Sequence, residues 1–170
     1  MRQLILFRHA KAVPGTATED HARGLTPQGL AEAAEAGRSL DARLRPDLAL
    51  VSDSRRTRET FGRIVEAIRR DLPHRFERSL YGAGAEQIAA VIAAVDPETT
   101  CLLVIGHNPG IGELARQLAD DNADAAPHRL AAGFSTAAYA IFDLPWTSWS
   151  DAEPGTLRDF VTVDSREGSD

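Results

Sequence analysis

Two short, wholly apolar runs do most to restrict the fold of this chain. They are Leu4-Ile5-Leu6-Phe7 and Leu102-Leu103-Val104-Ile105, and each is followed two residues later by a histidine, His9 and His107. A continuous apolar run of this length, without polar alternation, reads as a strand buried on both faces. Segments of helical periodicity lie between and after the runs, so the strands are joined by crossovers and run parallel. Ligands of such sheets bind beyond the carboxyl ends of the strands. Both imidazoles are therefore expected at one rim.

The rest of the chain extends the same pattern. The first strand is expected at 3–7, followed by a loop over 8–23 that carries Pro14, Gly15 and Thr16 and is long enough to be functional. Thr26-Pro27 supplies an N-cap and a first-turn proline. Leu30, Ala33, Ala34, Gly37, Leu40 and Leu44 then follow with helical spacing. A second strand is expected at 48–51. Ser52-Asp53-Ser54 offers caps for a helix whose apolar face is Phe61, Ile64, Val65, Ile68 and Leu72, ended by Pro73. A short strand at 75–80, a helix at 84–95 and a strand at 101–105 come next. Asn108-Pro109 opens a helix with Ile111, Leu114, Ala115 and Leu118 inward, and 119–127 is a polar loop rich in Ala and Asp. Strands are expected at 136–142 and, as an edge, at 157–163. The expected architecture is an α/β, three-layer α/β/α sandwich with a mostly parallel central sheet. It occupies a single domain over 1–164, with a flexible tail at 165–170.

Composition narrows the partners. A net charge of −6 argues against a general nucleic-acid binder. Cys101 is the one cysteine, at the head of an apolar run, and is expected as a small buried residue rather than a reactive thiol. No apolar stretch approaches the ~20 residues of a membrane span, and no signal-peptide pattern precedes the first strand. The expectation is a cytoplasmic protein, monomeric or a small homo-oligomer, that binds neither nucleic acid nor membrane.

Three strand–turn–helix units carry the chemistry, with Arg8-His9, residues 52–56 and His107-Asn108 in their turns. Helix N-termini attract anions, and arginine forks match phosphate oxygens. Two imidazoles and at least two guanidiniums at one rim therefore point to a phosphoryl group. A neutral imidazole is a competent nucleophile near pH 7, since its reference pKa is about 6.5. Its attack on phosphorus would give a phosphohistidine. His9, His21, His74, His107 and His128 form no compact ligand motif, so no metal or other cofactor is expected.

These residues resemble the histidine phosphatase superfamily, also called phosphoglycerate-mutase-like, and within it the small SixA-type phosphohistidine phosphatases. Arg8-His9-Ala10 is similar to the family's Arg-His-Gly signature. Residues 20–29 resemble the branch's Asp-x-x-Arg-Pro-Leu-Thr-x-x-Gly element, residues 52–60 its Ser-Pro-x-x-Arg-Ala-x-x-Thr element, and Gly106-His107-Asn108-Pro109 its second-histidine motif. The resemblance runs from about residue 2 to 163. It implies His9 as nucleophile, Arg8 and Arg56 as ligands of the phosphoryl oxygens, His107 as the charge-stabilising second histidine, and Arg23 and Asn108 as substrate contacts. Arg55 and Arg58 are expected to be solvated.

Some positions depart from the pattern. Asp53 stands where the family has proline, Thr57 where it has alanine, and Gly24 replaces a proline. Asp53 is expected to cap the following helix rather than enter the site. Glu77 and Glu86 are the candidates for a carboxylate general acid, against a reading of both as surface residues. His21, His74 and His128 are expected to be solvated. Trp146 and Trp149 read as packing over a sheet edge, with a recognition surface as the alternative.

The expected function is a metal-independent phosphatase that hydrolyses phosphohistidine on a protein, such as a phosphotransfer or carrier domain. A phosphatase of a small phosphorylated metabolite on the same scaffold is the first alternative. A non-catalytic phosphate-binding module is the second.

Overall fold

The computed structural model describes residues 1–120 and 126–163. The expected tail at 165–170 and residues 121–125 of the expected polar loop lie outside the described residues. Six strands form one sheet in the order β3-β2-β4-β1-β5-β6. They are β1 (Arg2–Arg8), β2 (Leu48–Ser52), β3 (His74–Glu77), β4 (Cys101–Gly106), β5 (Tyr139–Leu144) and β6 (Thr156–Val161). The first four are parallel, and β5 and β6 close one side antiparallel. The helices are α1 (Pro27–Asp41), α2 (Arg55–Ile68), α3 (Ala85–Ala93), α4 (Gly110–Leu118) and α5 (Ala126–Ala132).

The apolar runs explain the three layers. Successive strand residues point to opposite faces. Leu4, Leu6, Leu50, Leu102 and Val104 pack on one side with Ile88 and Ile92 of α3 and Ile111, Leu114 and Leu118 of α4. Ile5, Phe7, Val51, Leu103 and Ile105 pack on the other with Ala36 and Leu40 of α1 and Phe61 and Ile64 of α2. Each large side chain so buried contributes ~1.5–3 kcal/mol, which makes the central strands a stiff platform for whatever stands at their ends. Among the described residues, no helix is long and apolar enough to cross a membrane.

Several boundaries differ from the sequence reading. The third strand covers 74–77 rather than 75–80, because Arg78–Leu80 coils into a 3₁₀ turn that buries Leu80. The fifth starts at 139 rather than 136. Ala137 adopts a left-handed φ of 59°, and its N–H lies 3.1 Å from the carbonyls of both Arg8 and His9. That backbone is tied to the end of β1 and cannot begin a ladder. The edge strand is 156–161 rather than 157–163. The second helix ends at Ile68, before Pro73, because Arg69 turns left-handed. Part of the expected polar loop, from Ala126, is the helix α5.

Trp146 and Trp149 are 5% and 2% exposed, and their indole N–H groups donate to the carbonyls of Glu153 and Thr99, each at 2.9 Å. Both rings are packed in the core rather than presented as a recognition surface, but Trp149 lies against Arg2 of the central strand β1, not over a sheet edge. Cys101 is buried, and its thiol pKa is pushed up to about 12, chiefly by burial, as an inert core residue requires.

The long loop after β1 is pinned to the start of α1. The backbone N–H and the hydroxyl of Thr26 both reach the Lys11 carbonyl, at 2.9 and 3.2 Å. The Thr26 hydroxyl also accepts from the Gly29 N–H, as the N-cap of the sequence reading requires. A Cβ at Gly29 would stand 2.1 Å from the Lys11 carbonyl oxygen, so only hydrogen fits there.

Candidate active site

The strand order brings the histidines together. β1 and β4 are neighbours with Arg8 opposite Gly106, and the His9 N–H donates to the Gly106 carbonyl at 3.1 Å. Each strand then delivers its next residue to the same rim. The two imidazole centroids lie 5.3 Å apart, with His9 8% and His107 7% exposed. β2, on the far side of β4, ends at Ser52. Its hydroxyl lies 2.7 Å from His107 Nε2.

Arg56 enters from the first turn of α2, whose N-cap is Ser54. Its guanidinium is buried and multiply held. Nη1 donates to the Asp20 carbonyl at 2.8 Å, and Nη2 to Asp20 Oδ2 at 3.1 Å and to His107 Nδ1 at 3.3 Å. Thr60, one turn on, donates to the Arg56 carbonyl at 2.7 Å and accepts from the Ala10 N–H at 3.1 Å. The helix thus grips the backbone next to His9.

Hydrogen bonding fixes both ring tautomers. The His9 Nδ1 lies 2.7 Å from the Ala10 carbonyl. A carbonyl only accepts, so Nδ1 carries the proton and Nε2 keeps its lone pair. Arginine only donates, so His107 Nδ1 is the acceptor and its Nε2–H points at Ser52. Burial, then the charges of Arg56, Arg8 and Arg23, push the His9 pKa down to about 4 against the bond to Ala10. Burial, then His9 and Arg56, push that of His107 down to about 3. Both rings are neutral near pH 7.

The other expected residues are close by but more committed to the fold. Arg8 donates from Nη1 to the Phe134 carbonyl at 2.8 Å, and its Nε, like that of Arg56, is buried without a partner among the described residues. The same is true of Arg2 Nε and Arg70 Nη2, which lie elsewhere. It is their place beside the imidazoles that singles out the first two. Asn108 spends both ends of its amide on structure: Nδ2 donates to the Phe134 carbonyl at 2.8 Å, and Oδ1 accepts from the Gly112 N–H at 3.2 Å. Arg23 grips Asp20 Oδ1 through Nε and Nη2, at 3.0 and 2.8 Å, and the Val13 carbonyl through Nη1, at 2.8 Å.

One expectation needs correction. Asp53 does not cap α2: Ser54 does, and the Asp53 carboxylate meets His21 at 2.9 Å. His21 is exposed as expected, with that carboxylate as its partner. It also stands edge-on to Tyr81, with centroids 4.9 Å apart. Arg55 and Arg58 are both exposed as expected, the first paired with Glu59 and the second lying over the Phe76 ring at 4.7 Å. Glu86 is exposed in the first turn of α3. Glu77 pairs in register with Ser52 at the rim, 3.6 Å from the Arg75 guanidinium.

Sequence reasoning missed Tyr81 and gave Asp20 no role. Tyr81 stands edge-on to His107 at 5.6 Å, lies under the Arg56 guanidinium at 5.9 Å and donates its hydroxyl to Asp20 Oδ2. The bond from Tyr81 and those from Arg23 and Arg56 hold the Asp20 carboxyl far below the usual carboxylate range. The same bond pushes the Tyr81 phenol up. Among the described residues, no three His, Cys, Asp or Glu side chains gather as a metal site.

The neutral histidines set a stability profile. Their native pKa values, about 4 and about 3, lie below the ~6.5 of an unfolded histidine. From pH 6.5 down toward those values the unfolded chain binds more protons, so stability falls as pH falls, by at most about 1.4 kcal/mol per histidine per pH unit. Urea unfolding at pH 7, 5.5 and 4.5 should show a steeper loss in the wild type than in a His9→Gln/His107→Gln variant. Equal slopes would mean that the imidazoles are not held neutral by the fold.

Residues 4–81 match the family model of the histidine phosphatase superfamily (branch 1). An uncharacterised protein of Mycobacterium tuberculosis is 36% identical over 152 residues, covering 88% of this chain and 93% of its own. Two solved structures superpose closely, both named for the phosphohistidine phosphatase SixA. That from Nakamurella multipartitia has a TM-score of 0.82 at 31% identity, covering 95% of each chain. That from Agrobacterium tumefaciens has a TM-score of 0.80 at 29% identity, covering 95% of this chain and 98% of its own.

Proposed function

The chain belongs to the histidine phosphatase superfamily, and on that footing we propose that it removes phosphoryl groups from phosphohistidine on a protein, through a phosphohistidine of its own on His9. The observation that carries this reading is the state of His9. Its Nδ1–H is fixed on the Ala10 carbonyl, its Nε2 lone pair is unprotonated near pH 7, and a second imidazole and a buried guanidinium stand beside it.

In this mechanism His9 Nε2 attacks phosphorus while Arg56 and Arg8 hold the equatorial oxygens. The anionic phosphoryl group favours protonation of His107, whose imidazolium then stabilises the charge on the equatorial oxygens. Water hydrolyses the His9 phosphohistidine in the second step. His9 keeps its Nδ1 proton throughout, so it leaves phosphorus as a neutral ring. Arg23 supports the site through Asp20, and Asn108 through the Phe134 carbonyl that it shares with Arg8.

The resemblance to the proteins named for SixA favours phosphohistidine as the substrate. The position of Glu77 at the rim favours the second reading, a phosphatase of a small phosphate ester for which Glu77 supplies the proton. Phosphate release should be compared, with chelator present, between a phosphohistidine phosphotransfer protein and a panel of small phosphate esters. A kcat/KM at least tenfold higher for phosphohistidine is expected. Preference for an ester would transfer the assignment to the second reading, and release from neither would leave a phosphate-binding module.

A further inference from the structure

Tyr81 is held in an arrangement that the phosphoryl chemistry of the histidines and arginines does not require. Its ring lies against both His107 and Arg56, and its hydroxyl reaches Asp20. A carboxylate offers about four lone-pair sites, and those of Asp20 are filled. Oδ1 accepts from Arg23 Nε and Nη2, and Oδ2 from Arg56 Nη2 and Tyr81. Asp20 has nothing left for a substrate. Tyr81 has given its one proton to Asp20 and its oxygen also takes a hydrogen bond from the Arg56 guanidinium, which leaves one of its two lone pairs for a further donor. Tyr81 is half-buried and also lines an open cleft of about 700 Å³ with Arg75, Glu77, Ser79 and Gln87, so one side of its ring faces solvent.

Resting on the phosphohistidine reading above, we propose that Tyr81 recognises the leaving group: with its proton committed to the Asp20 carboxylate, its oxygen accepts the ring N–H of a protonated phosphoimidazole. The balance is simple. A phosphohistidine ring protonated at its second nitrogen carries a positive charge. When His9 Nε2 bonds to phosphorus and the P–N bond breaks, the electron pair returns to the ring, which departs as neutral imidazole with its N–H intact. No proton has to come from the protein. The Ala10 carbonyl does the same for His9 when water attacks the intermediate. The two imidazoles that exchange the phosphoryl group are thus each met by an acceptor. An alkoxide leaving group brings no N–H and would face an oxygen lone pair. A site built around a hydrogen-bond partner discriminates against ligands that lack it.

The test is Tyr81→Phe, which keeps the ring against His21, His107 and Arg56 and removes only the hydroxyl. Wild type and variant would be compared on phosphoimidazole and on p-nitrophenyl phosphate, whose leaving group needs no proton. The ratio of kcat/KM for phosphoimidazole to that for p-nitrophenyl phosphate is expected to fall at least fivefold. The alkaline limb of kcat on phosphoimidazole, which reports ionisation in the bound complex, should move to lower pH. A smaller change in the ratio overturns the proposal and leaves Tyr81 as a support for Arg56, with the phosphohistidine reading intact. A wild type that does not hydrolyse phosphoimidazole or a phosphohistidine protein overturns both readings.

Discussion

Replacing His9 with alanine is expected to lower phosphate release by about 10⁴-fold or more, because the covalent route has no other nucleophile to run through. Wild type quenched during turnover should carry an acid-labile, alkali-stable phosphate, and the variant none. The fold should survive. His9 sits at the polar end of β1, outside the apolar clusters that pack the two sheet faces. Its loss removes one hydrogen bond to the Ala10 carbonyl, a net effect of about 1 kcal/mol. It also removes a ring that the native state must keep neutral, so the variant should lose less stability than wild type on acidification. A phosphoenzyme persisting in His9→Ala would move the nucleophile elsewhere.

Arg56→Ala should be the second most damaging change. One buried guanidinium joins the Asp20 carbonyl, the Asp20 carboxylate and His107 Nδ1. Removing a preorganised charge at such a position costs about 10²–10³-fold in rate. Here the loss should be at the upper end, about 10³ in kcat/KM, because Tyr81 and the loop carrying Asp20 lose their anchor as well. Arg56→Lys keeps the charge but not the fork. A lysine ammonium cannot serve the same three acceptors in one plane, so about 10²-fold should remain lost. Kinetics of both variants on one substrate decide this. If lysine restores full activity, charge alone matters and the fork geometry does not.

Much of this arrangement was legible in the sequence because it is local. Each apolar run names a strand, and the residue that follows it must stand at the strand's end. His9, His107 and the turn before Arg56 could therefore be placed without knowing which strands are neighbours. Thr26 and Pro27 announced the start of α1 for the same reason. Tyr81 is different: nothing within ten residues marks it. It becomes part of the site only because a 3₁₀ turn cuts β3 short and a glycine at φ 66° turns the chain back toward α3, setting its ring over Arg56. Asp20 lay inside a recognised element but gained a role only from three partners at sequence distances of 3, 36 and 61 residues. Asp53 was misread because three adjacent cap-forming side chains competed for one position, and Ser54 won it.

The contact between Gly29 and Lys11 bears on how this protein can be altered by recombination. The loop that brings Asp20 and Arg23 to the rim is locked to the first turn of α1 at a spacing that admits no side chain. Loop and helix start form one structural part. An exchange between relatives that cuts between them would pair a loop with a foreign docking face, whereas a block from Arg8 through Leu30 travels with its own seat. Diversity in this rim should therefore be sampled as cassettes of that length rather than by loop grafting.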